Sequence, residues 1–181
     1  LSNGDFCSYM SKACFTFMEK LKMFNSLVLA VNSLHEIDYI HCDLKSDNFA
    51  FYFDYKRNKK YMKLLDYNFM VKGKKNPNHM VEGYLVTKGY SSPESYNEET
   101  ICKKSDVYSL GVLLLELLLQ HDLWFKNNSW SRCHKNVLKY LDEYSETNPE
   151  LAKVISKCLS ENVTERYTCK ELYKEIKSFI Q

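Results

Sequence analysis

Apolar residues recur at mostly three- and four-residue spacings from Phe15 to Glu36, where Phe15, Met18, Leu21, Leu27, Val28, Val31 and Leu34 fall along one stripe. That period predicts an amphipathic helix, apolar enough to be central to the fold. The pattern then breaks, and Asp38 to Asn48 is a loop dense in polar and ionisable side chains. Two short aromatic and aliphatic runs follow, Phe49–Phe53 and Tyr61–Leu65, joined by the charged stretch Asp54-Tyr-Lys-Arg-Asn-Lys-Lys60. Runs of that kind on either side of a polar connector predict a β-hairpin. Residues 68–98 fit no period and hold Gly73, Pro77, Gly83, Gly89 and Pro93, so they read as one long loop. A loop of that length inside a compact domain is uncommon unless it is functional. From Ser105 onward the pattern is helical throughout. Asp106–Gln120 is one helix, Pro149–Leu159 another with Pro in its first turn, and Thr168–Ile180 a third with Cys169, Leu172, Ile176 and Phe179 on one face. The expected fold is mainly α, with one small hairpin and one long loop, and no repeat or linker divides it.

Composition narrows the function classes. Of 181 residues, 45% are hydrophobic and 27% charged, which excludes a disordered or low-complexity chain. Lys+Arg number 25 against Asp+Glu 23, and a net charge of +2 is no footprint for nucleic acid or an anionic membrane. The longest apolar run, Leu110 to Leu119, contains Glu116 and is about half the ~20 residues that a bilayer span requires, so no membrane span is expected. The seven cysteines (Cys7, Cys14, Cys42, Cys102, Cys133, Cys158, Cys169) include no C-x-x-C pair and no zinc-like spacing to the five histidines. They read as reduced thiols of an intracellular, cytoplasmic protein. Asn127 and Asn162 head N-x-[ST] triplets of the kind that arises by chance. The chain opens on Leu1, which suggests a fragment or a processed product.

The chemistry-bearing residues cluster before and after the hairpin. The loop reads His41-Cys-Asp43-Leu-Lys45-Ser-Asp-Asn48, and the second strand ends Leu64-Leu-Asp66-Tyr-Asn68. A hairpin holds its two ends side by side, so Asn48 at its entry and Asp66 at its exit are expected neighbours. A carboxylate and an amide oxygen converging there suit a hard cation such as Mg²⁺. Asp43 puts an acceptor for a hydroxyl proton beside the cation of Lys45, which can meet a phosphoryl group. Metal ligands, base and positive charge together are the parts of phosphoryl transfer. Taken singly, such Asp and Asn residues are turn formers or caps, and only the joint pattern carries the reading.

That pattern resembles the C-terminal lobe of a eukaryotic protein kinase. His41 to Asn48 is similar to the catalytic loop H-R-D-L-x-x-x-N, and Asp66-Tyr67-Asn68 stands where the family has D-F-G. Ser92-Pro93-Glu94 stands for A-P-E, Asp106-Val-Tyr-Ser-Leu-Gly111 resembles the start of the family's large buried helix, and Arg166 lies in Glu165-Arg-Tyr-Thr168, where the family carries an arginine. The five blocks agree in order and spacing from about residue 15 to the end. The resemblance implies Asp43 as the base, Lys45 as the phosphate-contacting lysine, and Asn48 and Asp66 as the Mg²⁺ ligands of a protein that uses ATP. It implies that Asp106 accepts backbone N–H groups of the catalytic loop, and that Glu94 and Arg166 form a buried pair tying the long loop to the helices. The alternative for that pair is two unrelated surface charges.

Lys45 in Asp-Leu-Lys and Thr87, seven residues before Glu94, resemble the serine/threonine branch, with Thr87 placed to touch Asp43 and Lys45; the partner is then a protein with Ser or Thr hydroxyls. Asp47 is a weak pointer to basic substrates. Three departures stand out. Cys42 replaces the arginine beside the catalytic Asp, which suggests activity without phosphorylation of the long loop; its thiol reads as buried and inert rather than redox-sensitive. Asn68 replaces the glycine of D-F-G, tolerable because Asn accepts left-handed backbone angles better than most residues, and Tyr67 keeps the aromatic packing of Phe. No G-x-G-x-x-G occurs, so the lobe that covers ATP is missing from these 181 residues. Residues 1–181 therefore read as a protein kinase domain reduced to its C-terminal lobe, inactive by itself. A pseudokinase lobe serving as a binding module is the alternative, and a small-molecule phosphotransferase of the aminoglycoside-kinase kind a distant third. Tyr84, Thr87, Ser91 and Ser92 are hydroxyls available for modification of the long loop.

Overall fold

The computed structural model describes residues 15–82, 87, 89–98, 100–119 and 129–181. Cys7, Cys14, Gly83, Tyr84, Gln120 and Asn127 lie outside them. The first helix, α1 (Phe17–Glu36), starts where Thr16 caps it, and Thr16 and Glu19 form a capping box that satisfies the free N–H groups of the first turn. Its stripe of Leu21, Leu27, Val28 and Val31 is fully buried, as the periodicity predicts, while Met18 is exposed at 37% and leaves the stripe. β1 (Tyr39–Ile40) follows, then a single 3₁₀ turn at Ser46–Asn48 and the antiparallel hairpin of β2 (Phe49–Asp54) and β3 (Lys59–Leu64). In the connector, Asp54 accepts the amides of Lys56 and Arg57 and Asn58 takes a φ of 50°, so the turn is built from its own side chains.

Residues 68–98 are not one unbroken loop. β4 (Val71–Lys72) pairs with β1, β5 (Val81–Glu82) pairs with β6 (Thr100–Ile101), and α2 (Pro93–Asn97) forms a short helix. Two-residue strands carry no period, which is why the sequence shows none. The remaining helices are α3 (Lys103–Leu119), α4 (Trp130–Ser145), α5 (Pro149–Cys158) and α6 (Cys169–Ser178). α3 begins three residues before Asp106, so Asp106 sits within its first turn.

Among the described residues the fold is mainly helical with three small two-stranded sheets. α3 is buried nearly all round, and α1, α4 and α5 pack against it; α6 packs on α1. Gly111 is required on α3 because a Cβ there would come within 2.7 Å of Cys158 Cβ on α5. Lysines close helix ends from a distance: the ammonium of Lys103 donates to the carbonyl of His35 at the end of α1, and that of Lys20 donates to Leu118 O at the end of α3 (3.1 Å). The result is a rigid helical base carrying the His41–Asn48 loop and the hairpin. Among the described residues no helix is long and apolar enough to cross a membrane.

Candidate functional site

Asp43 is buried at the centre of a small hydrogen-bonded cluster. The hydroxyl of Thr87 donates to Oδ1 (2.5 Å), the ammonium of Lys45 sits 2.7 Å from Oδ2, and the amide nitrogen of Asn48 donates to Oδ2 (3.0 Å) and to the Asp43 carbonyl (2.7 Å). Lys45 also reaches the Thr87 hydroxyl at 3.5 Å. Burial pushes the Asp43 carboxyl up, but the bonds from Lys45, Thr87 and Asn48 and the Lys45 charge outweigh it and hold the group below the ordinary carboxylate value. Asp43 is therefore an ionised acceptor, fixed in direction by three donors. Four residues from two chain segments, 43–48 and 87, meet here.

The loop under this cluster hangs from Asp106. Its Oδ2 accepts the His41 amide at 2.8 Å and its Oδ1 the Cys42 amide at 3.0 Å. Cys42 has a φ of 72°, a left-handed conformation that costs a non-glycine residue about 1–3 kcal/mol, and the bond to a charged acceptor offsets it. The sulfur itself points to the carbonyl of Ile40 at 3.4 Å, and burial, with Asp106 beside it, pushes the thiol up. Cys42 is an inert thiol in this setting. Among the described residues, Cys42, Cys102, Cys158 and Cys169 are in no disulfide.

A third partner of Asp106 was not legible in the sequence. His35, buried in the last turn of α1, places Nε2 2.8 Å from Asp106 Oδ2. Burial opposes charge on the ring, but Cys169 and Asp106 outweigh it and raise its pKa to about 10. A histidine at the end of an amphipathic stripe gives no signal of its own; the carboxylate of Asp106, 71 residues on, is the missing half.

Glu94 and Arg166 form a bidentate pair, with Nη1 to Oε1 at 2.7 Å and Nη2 to Oε2 at 2.8 Å, both side chains buried. Ser92 and Ser105 donate to the same carboxylate, and the guanidinium also donates from Nε to Ser160 O (2.7 Å) and lies 5.2 Å from the Tyr108 ring. Burial pushes the Glu94 carboxyl up and Arg166 overrides it, leaving the group depressed. A pair this buried and this fully hydrogen-bonded is costly to break from either side. It fixes α2, and with it Ser92, whose hydroxyl donates to the Glu94 carboxylate, against the helical base.

Asn48 and Asp66 lie at the two ends of the hairpin, where Leu65 N donates to Asn48 O at 2.8 Å. Asn48 is buried, and its amide nitrogen is occupied by Asp43, which leaves its oxygen as the acceptor. Asp66 is exposed, takes a φ of 54°, and binds through Oδ1 the amide of Asn68 (3.1 Å). The left-handed residue of this segment is thus Asp66 rather than Asn68, which does not use the tolerance its side chain offers. Tyr67 packs edge-on against His41 at 5.9 Å between ring centres. Among the described residues no three His, Cys, Asp or Glu side chains gather to hold a metal. One amide oxygen and one carboxylate fit a Mg²⁺ ion that completes its shell with phosphate and water, and fit no cation needing a full protein cage.

Residues 1–176 match the protein kinase domain. MAP kinase-activated protein kinase 2 of Oryctolagus cuniculus is 28% identical over 166 residues, covering 87% of this chain and 44% of that protein. Serine/threonine-protein kinase 33 of Bos taurus is 28% identical over 155 residues, covering 72% of this chain and 32% of that protein. The chain spans less than half the length of either relative.

Proposed function

The chain belongs to the protein kinase family, and on that premise we propose that it is the C-terminal catalytic lobe of a serine/threonine protein kinase, which transfers the γ-phosphate of ATP to Ser or Thr hydroxyls of protein substrates. The observation that carries the reading is the convergence of Lys45, Thr87 and Asn48 on the buried carboxylate of Asp43. An ionised carboxylate so held accepts the hydrogen bond of an incoming hydroxyl, orients its oxygen, and takes the proton as the new bond forms. Lys45, 2.7 Å from that carboxylate, places positive charge where a phosphoryl group approaches the same hydroxyl. Asn48 and Asp66 would hold Mg²⁺, which neutralises phosphate charge in this chemistry.

Lys45 and Thr87 also support the serine/threonine branch, because both contact Asp43 as the resemblance to that branch implies. The assignment to one lobe rests on three facts. No G-x-G-x-x-G occurs in the sequence. Leu65, Tyr67 and Phe69, which flank Asp66, are exposed at 42%, 49% and 37%. The two relatives named above are each more than twice as long as the matched stretch. The second lobe would cover that apolar face and the nucleotide. A transfer assay with Mg²⁺ and γ-labelled ATP tests the activity, run on the complete gene product with Ser/Thr-containing and Tyr-only peptides. Label on the Ser/Thr peptides alone is expected; label on Tyr, or on neither, overturns the assignment.

A further inference from the structure

The hydroxyl of Thr87 can fix Asp43 only if Thr87 is itself held, and its own carbonyl shows how. That oxygen accepts three bonds from the end of one turn: Tyr90 N at 3.1 Å, Ser91 N at 3.2 Å and Ser91 Oγ at 2.7 Å. Tyr90 is fixed independently, since its hydroxyl meets Ser46 Oγ and Glu116 Oε2, each at 2.9 Å, and its carbonyl accepts Ser109 Oγ at 2.8 Å. Among the described residues, Ser91 is fixed from outside the segment by one indole. Trp130, the first residue of α4, donates from Nε1 to the Ser91 carbonyl at 2.8 Å.

The indole has little freedom. It stacks with Tyr96 of α2 (5.4 Å between centres, 16° between planes) and with His134 one turn further along α4 (4.9 Å, 10°). His134 is anchored in turn by the Tyr108 hydroxyl on α3, 2.6 Å from Nδ1. Trp130 is buried, and its N–H is aimed by rings from three helices at one carbonyl. A buried tryptophan satisfies its N–H somewhere as a matter of course. What sets this one apart is the partner: the residue whose amide and hydroxyl both hold Thr87.

We propose that Trp130 is a positioning residue for phosphoryl transfer, acting through Ser91 to keep the Thr87 hydroxyl on Asp43. The proposal rests on the reading of Asp43 as the hydroxyl acceptor, and it adds a residue on α4, 87 positions from Asp43 in sequence, that touches neither substrate nor nucleotide. Where position 42 carries no arginine, ring stacking and one N–H thus add a fastening at Ser91 to those of Tyr90 and of the Glu94–Arg166 pair.

Two variants of the 181-residue chain test it by NMR. Trp130→Phe keeps a ring in the stack and removes the N–H, and Ser91→Ala removes the hydroxyl link to Thr87. Each is expected to raise amide exchange at Tyr90 and Ser91 about tenfold, the effect of losing one hydrogen bond, while the thermal transition of Ser91→Ala stays within a few degrees of the wild type. The methyl couplings of Thr87 are expected to change from those of one side-chain rotamer to an average, a signature that a packing role for Trp130 would not produce at so distant a side chain. If Trp130→Phe fails to fold, Ser91→Ala decides alone. Wild-type exchange and a single Thr87 rotamer in the folded variants overturn the proposal. In the complete gene product, Trp130→Phe is expected to lower kcat for the peptide about tenfold at unchanged KM for ATP. An inactive wild type would overturn the kinase reading and leave the NMR arm to decide the role of Trp130.

Discussion

The His41–Asn48 loop and the Leu65–Phe69 segment lead into and out of one hairpin, each carries a carboxylate of the proposed site, and each contains a non-glycine residue in left-handed conformation. In the first, Cys42 is held by Asp106 from α3, Asp43 by Thr87 and Lys45, and Ser46 by Tyr90, so the strain is met from several elements at once. In the second, Asp66 answers its own strain with one bond to the amide two residues on, and its neighbours Leu65, Tyr67 and Phe69 stand exposed. The difference teaches where preorganisation resides. Asp43, the proposed hydroxyl acceptor, is held by this chain's own packing, whereas Asp66, the proposed metal ligand, is aimed locally and stands exposed.

The largest effect expected is at the finished end. Asp43→Asn in the complete gene product should cut transfer by roughly 10²–10⁴, the range for removing a positioned base, with the thermal transition unchanged. Retained turnover would remove Asp43 from the acceptor role. Removing the anchor beneath it should blur the contrast between the two segments. Asp106→Ala leaves the buried, charged His35 and two loop amides without their acceptor, and should cost about 3–5 kcal/mol in denaturant titrations. A loss under 1 kcal/mol would show that the loop does not depend on this carboxylate.

The same pair makes a pH prediction. His35 has a folded pKa raised from 6.5 to about 10, so its contribution to stability is full below pH 6.5 and is lost as the pH rises through 10. The difference in stability between the wild type and His35→Gln should shrink over that window. A difference independent of pH between 6.5 and 10 would mean that the ring is not charged in the fold. Within the open end the expected contrast is smaller. Asp66→Ala should lose Mg²⁺-dependent nucleotide binding more completely than Asn48→Ala, because a carboxylate brings a full charge and an amide oxygen only a dipole. Calorimetry giving the reverse order would exchange the two roles.

Legibility in the sequence followed the range of the interaction. The stripe of α1, the hairpin and the Cys169–Leu172–Ile176 face of α6 were readable because each depends on neighbours within a few residues. The strand pairs Tyr39–Ile40 with Val71–Lys72 and Val81–Glu82 with Thr100–Ile101 were not, since two residues show no period. α4 fell within a stretch that read as helical but was not delimited, and its Trp130 was missed with it, since the partner Ser91 is 39 residues away. Residues of the Asp43 cluster stood out as a joint pattern of types and spacings. His35 did not, because its value to the site comes from Asp106, 71 residues on, and from Cys169, further still. The exposure of Asp66 was equally hidden: a hairpin end predicts proximity to Asn48 but not which end the fold buries.

The central claim, that this chain carries a finished acceptor loop but an open nucleotide floor, is tested most directly by a phosphorylation assay on the purified 181-residue chain with Mg²⁺, ATP and a Ser/Thr peptide, using Asp43→Asn as the blank. On the proposed one-lobe reading nothing closes and dries the site, and no transfer above the blank is expected. Asp43-dependent turnover at ordinary kinase rates of roughly 1–100 s⁻¹ would contradict the account, showing that the floor alone suffices.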